Sequence, residues 1–242
     1  MAALFVSDIH LSPDRPEIAG LFRAFLLGRA HGADALYILG DLFDYWAGDE
    51  ELGDHFNAGV AENMARCADS GVAIYIMRGN RDFLLGERFA HEARVKLIAD
   101  PTVIELYGRR TLLSHGDDLC TDDEAYQDFR RKVRSPEWID SFLQRPLAER
   151  RREIESLRAL SETEKRRKSW SIMDVNPNAV EALLRRHGYP MLIHGHTHRP
   201  DQHEHLVDGN RCERWVLADW YQSGSCLVAE ARGLRREPLL HA

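Results

Sequence analysis

At 242 residues the chain can bury one sizeable core with room for an insertion, but hardly a second independent domain. A net charge of -7 argues against a nucleic-acid binder, and 44% hydrophobic with 29% charged residues is ordinary for a soluble globular protein. No run approaches the ~18 apolar residues of a membrane span. Cys67, Cys120, Cys212 and Cys226 lack C-x-x-C spacing and read as reduced cytosolic thiols, and the first residues enter a strand directly, so no targeting segment is expected.

Ala3-Leu4-Phe5-Val6 opens the chain as a short apolar run, the pattern of a strand buried on both faces, and Asp8-Ile9-His10 follows it. Glu17 to Arg29 places Ile18, Leu21, Phe22, Phe25 and Leu26 at helical spacing. Ala35 to Leu39 is a second strand ending in Gly40-Asp41. Val72 to Met77 is a third, ending two residues before Gly79-Asn80-Arg81-Asp82. This β-α-β-α-β alternation predicts an α/β protein with a largely parallel sheet, which binds ligands beyond the carboxyl ends of its strands. Thr111-Leu112-Leu113 leads to His115-Gly116.

From about Thr121 to Ser171 strand signals stop and helix formers take over, so residues 121–171 read as a helical insertion in one domain spanning 1–242. Ala125, Phe129 and Val133 stand at i, i+4 spacing, and Pro136 and Pro146 mark helix starts. Between Arg145 and Lys168 nine Lys or Arg face five Glu. Arg150 to Arg152 suit a solvated helix face equally well as a functional one. Beyond it, Met191-Leu192-Ile193 precedes Gly195-His196-Thr197-His198. Leu206-Val207, the turn Asp208-Gly209-Asn210, Trp215 to Leu217 and Ser225 to Val228 predict antiparallel strands completing a second sheet.

Each of the five polar segments follows a predicted strand. A lone Asp there is usually a turn or cap, and a lone His is usually not a ligand. As a set they supply Asp8, Asp41, Asn80, His10, His115, His196 and His198, enough donors for two divalent cations. Carboxylate, amide and imidazole ligands without thiolate disfavour structural zinc and suit Mn, Fe or catalytic Zn.

The series D-x-H, G-D, G-N, H-G and G-H-x-H over residues 4 to 198 resembles the calcineurin-like metallophosphoesterases. The resemblance implies a sandwich of two β-sheets flanked by helices. It also implies one metal on Asp8, His10, Asp41 and His198 and a second on Asp41, Asn80, His115 and His196, with Asp41 bridging. Such a pair clamps a phosphoryl oxygen and generates a hydroxide nucleophile at neutral pH. The family usually has His after the Asn; here Arg81 stands there, and a guanidinium binds phosphate oxygens but keeps its proton. That suits a leaving group needing no proton, such as a phosphate released from a pyrophosphate, whose second pKa is ~6.

The stretches Leu39 to Trp46, Met77 to Phe83, Ser114 to Asp123, Ser171 to Asn176 and Ile193 to Pro200 are similar to the lipid A branch of that family. That similarity implies hydrolysis of UDP-2,3-diacylglucosamine at the α-phosphorus, manganese as cofactor, and a glycolipid substrate met at the cytoplasmic face of the inner membrane, with no nucleic acid and no obligate protein partner. It implies catalytic roles for Arg81, Asn80 and His196, and substrate contacts at Asn80, Arg81, Asp123, Ser161, Lys165, Lys168 and His196. Trp46, Ile139, Phe142, Leu143, Trp170, Ile172 and Met173 are candidates for an acyl-chain crevice. The rival readings are a pyrophosphatase or phosphodiesterase for soluble nucleotides and a non-catalytic scaffold, which would tend to lose metal ligands.

Overall fold

The computed structural model describes residues 2–165 and 174–239, with the side chains of 160–165 excepted. The first half runs β1 (Ala3–Val6), α1 (Pro16–Leu27), β2 (Ala35–Leu39), α2 (His55–Asp69), β3 (Ala73–Met77), α3 (Glu87–Ala93), β4 (Lys96–Ile98), β5 (Thr102–Leu106) and β6 (Arg109–Ser114). Three helices follow, α4 (Glu124–Val133), α5 (Pro136–Leu143) and α6 (Leu147–Lys165), then α7 (Pro177–Arg186). The chain ends with β7 (Met191–His194), β8 (Gln202–Val207), β9 (Asn210–Val216), β10 (Gly224–Glu230) and β11 (Gly233–Leu239). Among the described residues these strands form two sheets, ordered β11-β10-β1-β2-β3-β4 and β5-β6-β7-β9-β8.

Strand alternation explains the layers, because successive side chains point to opposite faces. Leu4 and Val6 of β1, Leu36 and Ile38 of β2, and Ile74 and Ile76 of β3 join α1, α2 and α3 in one core. The intervening Ala3, Phe5, Leu39 and Met77 face the other way, into a core shared with Leu113, Ile193 and Trp215 of the second sheet. Leu112 and Leu192, the opposite parity of β6 and β7, pack with Val180, Leu183 and Leu184 of α7. Each central strand is therefore buried on both faces, as its unbroken apolar run predicts.

One strand lies elsewhere than its sequence suggests. Ser225 to Val228 belongs to β10, which pairs antiparallel with β1 in the first sheet, Leu4 opposite Val228, rather than completing the second. Both faces of β10 are needed at that place: Leu227 and Ala229 enter the core between the sheets while Cys226 and Val228 face α1. The insertion stripe is also not a buried face, since Val133 is buried but Ala125 and Phe129 are exposed. Pro136 does stand at the first turn of α5, capped by the Ser135 hydroxyl, which accepts from Trp138 N. Pro146 immediately precedes α6.

The charged start of α6 is an attachment to the sandwich. Arg150 is only 1% exposed; it donates to the Ala47 and Arg145 carbonyls and pairs with Glu50 at 2.5 Å. Arg151 clamps the buried Glu51 with two bonds of 2.9 and 2.5 Å. Arg152 alone suits the solvated reading: it is exposed and donates to the Ala148 carbonyl of its own helix.

Candidate metal centre

Asp8, His10, Asp41 and Asn80 leave the ends of β1, β2 and β3, while His115, His196 and His198 leave β6 and β7. The ligands thus come from both sheets, whose strand ends meet at one edge. Asp8, His10, Asp41, His196 and His198 all hold left-handed backbone, with φ of 53, 52, 53, 67 and 54°. Such conformations cost about 1–3 kcal/mol each in non-glycine residues and gather where function over-determines the backbone. Close approach does the rest: a Cβ on Gly79 would collide with the Asp41 carboxylate, and one on Gly195 with Ser7 and Asp8.

Donor atoms of Asp8, His10 and His198 lie within 4.8 Å of one another, and so do those of Asp8, Asp41 and His115. Asp41 stands between the groups, Oδ2 at 3.8 Å from His10 Nε2 and Oδ1 at 3.8 Å from His115 Nε2. Asn80 Oδ1 is 3.0 Å from His115 Nε2, and the His196 ring lies 5.0 Å from that of His115. His115 Nδ1 faces the Leu39 carbonyl at 2.9 Å, so Nδ1 carries the proton and Nε2 is left for a cation. The structure brings all seven predicted ligands together.

The electrostatics fit a divalent cation. Both ring nitrogens of the buried His10 lack a hydrogen-bond partner among the described residues, an expensive state for polar atoms without a ligand. Burial pushes the Asp41 carboxyl up to about 7, and Asp82 and Asp8 add to this against the pull of His115. Burial likewise drives His196 down to about 3, helped by the nearby His115, which keeps its imidazole neutral and able to ligate. For Asp8 burial acts upward, but the imidazoles of His198, His115 and His10 outweigh it and hold it below the usual carboxylate range.

Several supporting residues carried no role in the sequence reading. The fully buried Asp82 accepts from the backbone amides of Asp41, Leu42, Phe43 and Gly79 at 3.3, 2.7, 3.3 and 2.8 Å, locking the second and third ligand loops together. Its signal was its place at the end of Gly79-Asn80-Arg81-Asp82. Asp117 accepts from Tyr126, Arg130 and Arg134 at 2.7, 2.8 and 3.1 Å, and Arg134 also donates to the Gly79 carbonyl at 2.9 Å. Those bonds fasten α4 to the His115 and Asn80 loops, and nothing local in the sequence announces them.

The predicted substrate contacts divide. Asn80 and His196 stand within the cluster, and Arg81 is adjacent: its amide donates to Asp41 Oδ1 at 2.8 Å, and its charge adds to the burial that depresses His10. Asp123 caps α4, accepting from Tyr126 N at 3.2 Å. Ser161, Lys165 and Lys168 lie outside the described side chains, as do Trp170, Ile172 and Met173. Of the crevice candidates, Trp46 is core rather than lining: it is 1% exposed, packed on Phe43 and Phe89, with Nε1 on Asp49. Phe142 is core as well, 2% exposed and stacked on Trp138, which lies 6.1 Å from Phe83. Ile139 and Leu143 pack against the same core partly buried.

A family model described as calcineurin-like phosphoesterase matches residues 1–200. Three similar curated proteins carry the name UDP-2,3-diacylglucosamine hydrolase. The one from Aromatoleum aromaticum is 56% identical, covering 96% of this chain and 95% of that protein. Those from Cellvibrio japonicus and Stenotrophomonas maltophilia are 50% and 48% identical, covering 97% and 96% of this chain and the same shares of those proteins. The chain belongs to the calcineurin-like phosphoesterases, metal-dependent hydrolases, in the group whose curated members are named UDP-2,3-diacylglucosamine hydrolase.

Proposed function

We propose that this chain hydrolyses the pyrophosphate bond of UDP-2,3-diacylglucosamine at the α-phosphorus, giving UMP and 2,3-diacylglucosamine 1-phosphate, a step of lipid A biosynthesis. The observation that carries the reading is the convergence of seven ligand side chains, five on left-handed backbone, in a chain so similar over its length to proteins of that name. Asp8, His10, Asp41 and His198 would hold one cation and Asp41, Asn80, His115 and His196 the other. Bound there, two divalent ions supply Lewis-acid stabilisation of the phosphoryl oxygens and activation of the attacking water. Manganese suits this oxygen and nitrogen donor set.

The chain's own groups do the rest. Arg81, anchored through its amide to Asp41, neutralises charge on the pyrophosphate with its planar fork. The bridging oxygen leaves with the β-phosphate, whose second pKa of ~6 makes protonation by the protein unnecessary. Asp82 and Asp117 fix the loops that carry Asp41, Asn80 and His115. The insertion at 121–171 acts as a cap, with the partly buried Phe83 and Trp138 beside the acyl chains. No described helix is long and apolar enough to cross a membrane; the basic cap instead favours peripheral contact with the anionic cytoplasmic face of the inner membrane.

The test is hydrolysis of UDP-2,3-diacylglucosamine against UDP-N-acetylglucosamine, with manganese added and after chelation. Release of UMP from the diacylated substrate, dependent on metal, is expected. Equal rates on both substrates would favour the soluble-nucleotide reading, and no turnover by metal-loaded protein would sink the proposal.

A further inference from the structure

The metal edge is fenced unequally. On one side the Tyr126 ring of α4 stacks at 6.2 Å from His196. On a second, Arg134 reaches the Gly79 carbonyl beside Asn80. On a third, Arg158 of α6 pairs with Asp44, whose other oxygen is 4.0 Å from His10 Nδ1. The remaining side belongs to the crossover between β9 and β10. There the Tyr221 ring stands 5.3 Å from both His10 and His198.

Beyond Tyr221 lies an open recess of about 450 Å³ lined by Arg15, Glu17, Ile18, Tyr221 and Gln222. Its wall is held rigidly. Arg15 donates to the carbonyls of Ile9 and His10 at 3.3 and 3.2 Å and of Trp220 and Tyr221 at 2.7 and 3.1 Å. Its guanidinium also lies 4.9 Å from the Tyr221 ring centre. One side chain therefore staples the Asp8–His10 loop to the crossover, while its positive charge stays beside the metal edge.

We propose that this recess is the subsite for the nucleoside half of the substrate, an inference that rests on the reading above. A pyrophosphate held at the metal edge has two ends. The leaving end carries sugar and acyl chains and matches the aromatic side at Phe83 and Trp138. The α-phosphate's other ester carries ribose and a flat base, and the cap occupies the other three sides. The recess is large enough for such a group. Gln222 offers an amide donor and acceptor to the imide edge of a pyrimidine, and Glu17 a carboxylate to ribose hydroxyls. Arg15 favours the phosphate end.

Calorimetric titration of metal-loaded protein with UMP and with inorganic phosphate tests this without turnover. Wild type binds UMP more tightly than phosphate. The double variant Glu17→Ala/Gln222→Ala loses at least about tenfold in UMP affinity, the worth of two ordinary hydrogen bonds, with phosphate affinity kept. Both side chains are exposed, so the fold tolerates their truncation. Equal wild-type affinity for the two ligands, an unchanged UMP affinity in the variant, or a parallel loss for both ligands each overturns the subsite. Failure of the substrate reading would appear separately, as specific UMP binding by a chain that does not cleave the diacylated substrate.

Discussion

Arg81 is the residue at which this chain parts from the usual family motif, and its position sharpens what that means. Its amide is committed to Asp41 Oδ1 and its carbonyl to Trp46 N, so the backbone that aims the guanidinium is pinned from both sides. Arg81→Lys keeps the charge but loses the bidentate fork, and kcat/KM is expected to fall by about tenfold or more. Arg81→His supplies a proton donor instead and should raise activity on aryl phosphodiesters relative to wild type. Steady-state kinetics on both substrate types decide it: near wild-type turnover of the pyrophosphate by Arg81→Ala would show the fork to be dispensable. The residue itself was legible because it breaks a motif. The roles of Arg15 and Tyr221 were not, since each acts on a partner distant in sequence, as Arg15 does on Trp220.

At the scale of elements, α6 shows how charge can hold a helical insertion on an acidic body. Arg151 is about a third exposed, but its partner Glu51 is 2% exposed, so removing the arginine strands a buried carboxylate. Arg151→Ala should cost roughly 3 kcal/mol, the scale for breaking a buried pair, and Arg151→Ala/Glu51→Gln should recover part of it. Urea unfolding of the single and double variants measures this. A loss below about 0.5 kcal/mol would place the pair with ordinary surface bridges. From sequence this run looked equally like a solvated face, because i, i+4 spacing of Arg and Glu fits both. The deciding partners, Glu50 and Glu51, lie about a hundred residues earlier.

For the whole molecule, unbroken apolar runs identified the central strands of both sheets, because burial on two faces leaves no polar parity to obscure them. The place of β10 was hidden, since an apolar run records that a strand is buried but not beside which neighbour. Burial also fixes the state of the thiols. Burial pushes Cys67 up to about 11 and Cys120 and Cys226 up to about 12, the last two also raised by nearby carboxylates, and moves Cys212 upward as well. Thiolate is the nucleophile, so at pH 8 the native chain should react with a thiol reagent orders of magnitude more slowly than the unfolded chain, whose thiols sit near ~8.5. The same shift has a sign for stability. These folded-state values exceed the unfolded ones, so the native state binds more protons above about pH 8.5 and its stability is complete below that pH. It should fall as pH rises from about 9 toward 12, seen as a lower urea midpoint at pH 10 than at pH 8. Replacing Cys226 with Ala removes one contributor, so the drop between the two pH values should shrink while the pH 8 midpoint takes its own cavity cost. An undiminished drop in Cys226→Ala, together with fast native labelling, would mean that β10 opens readily and does not sit sealed between β1 and β11.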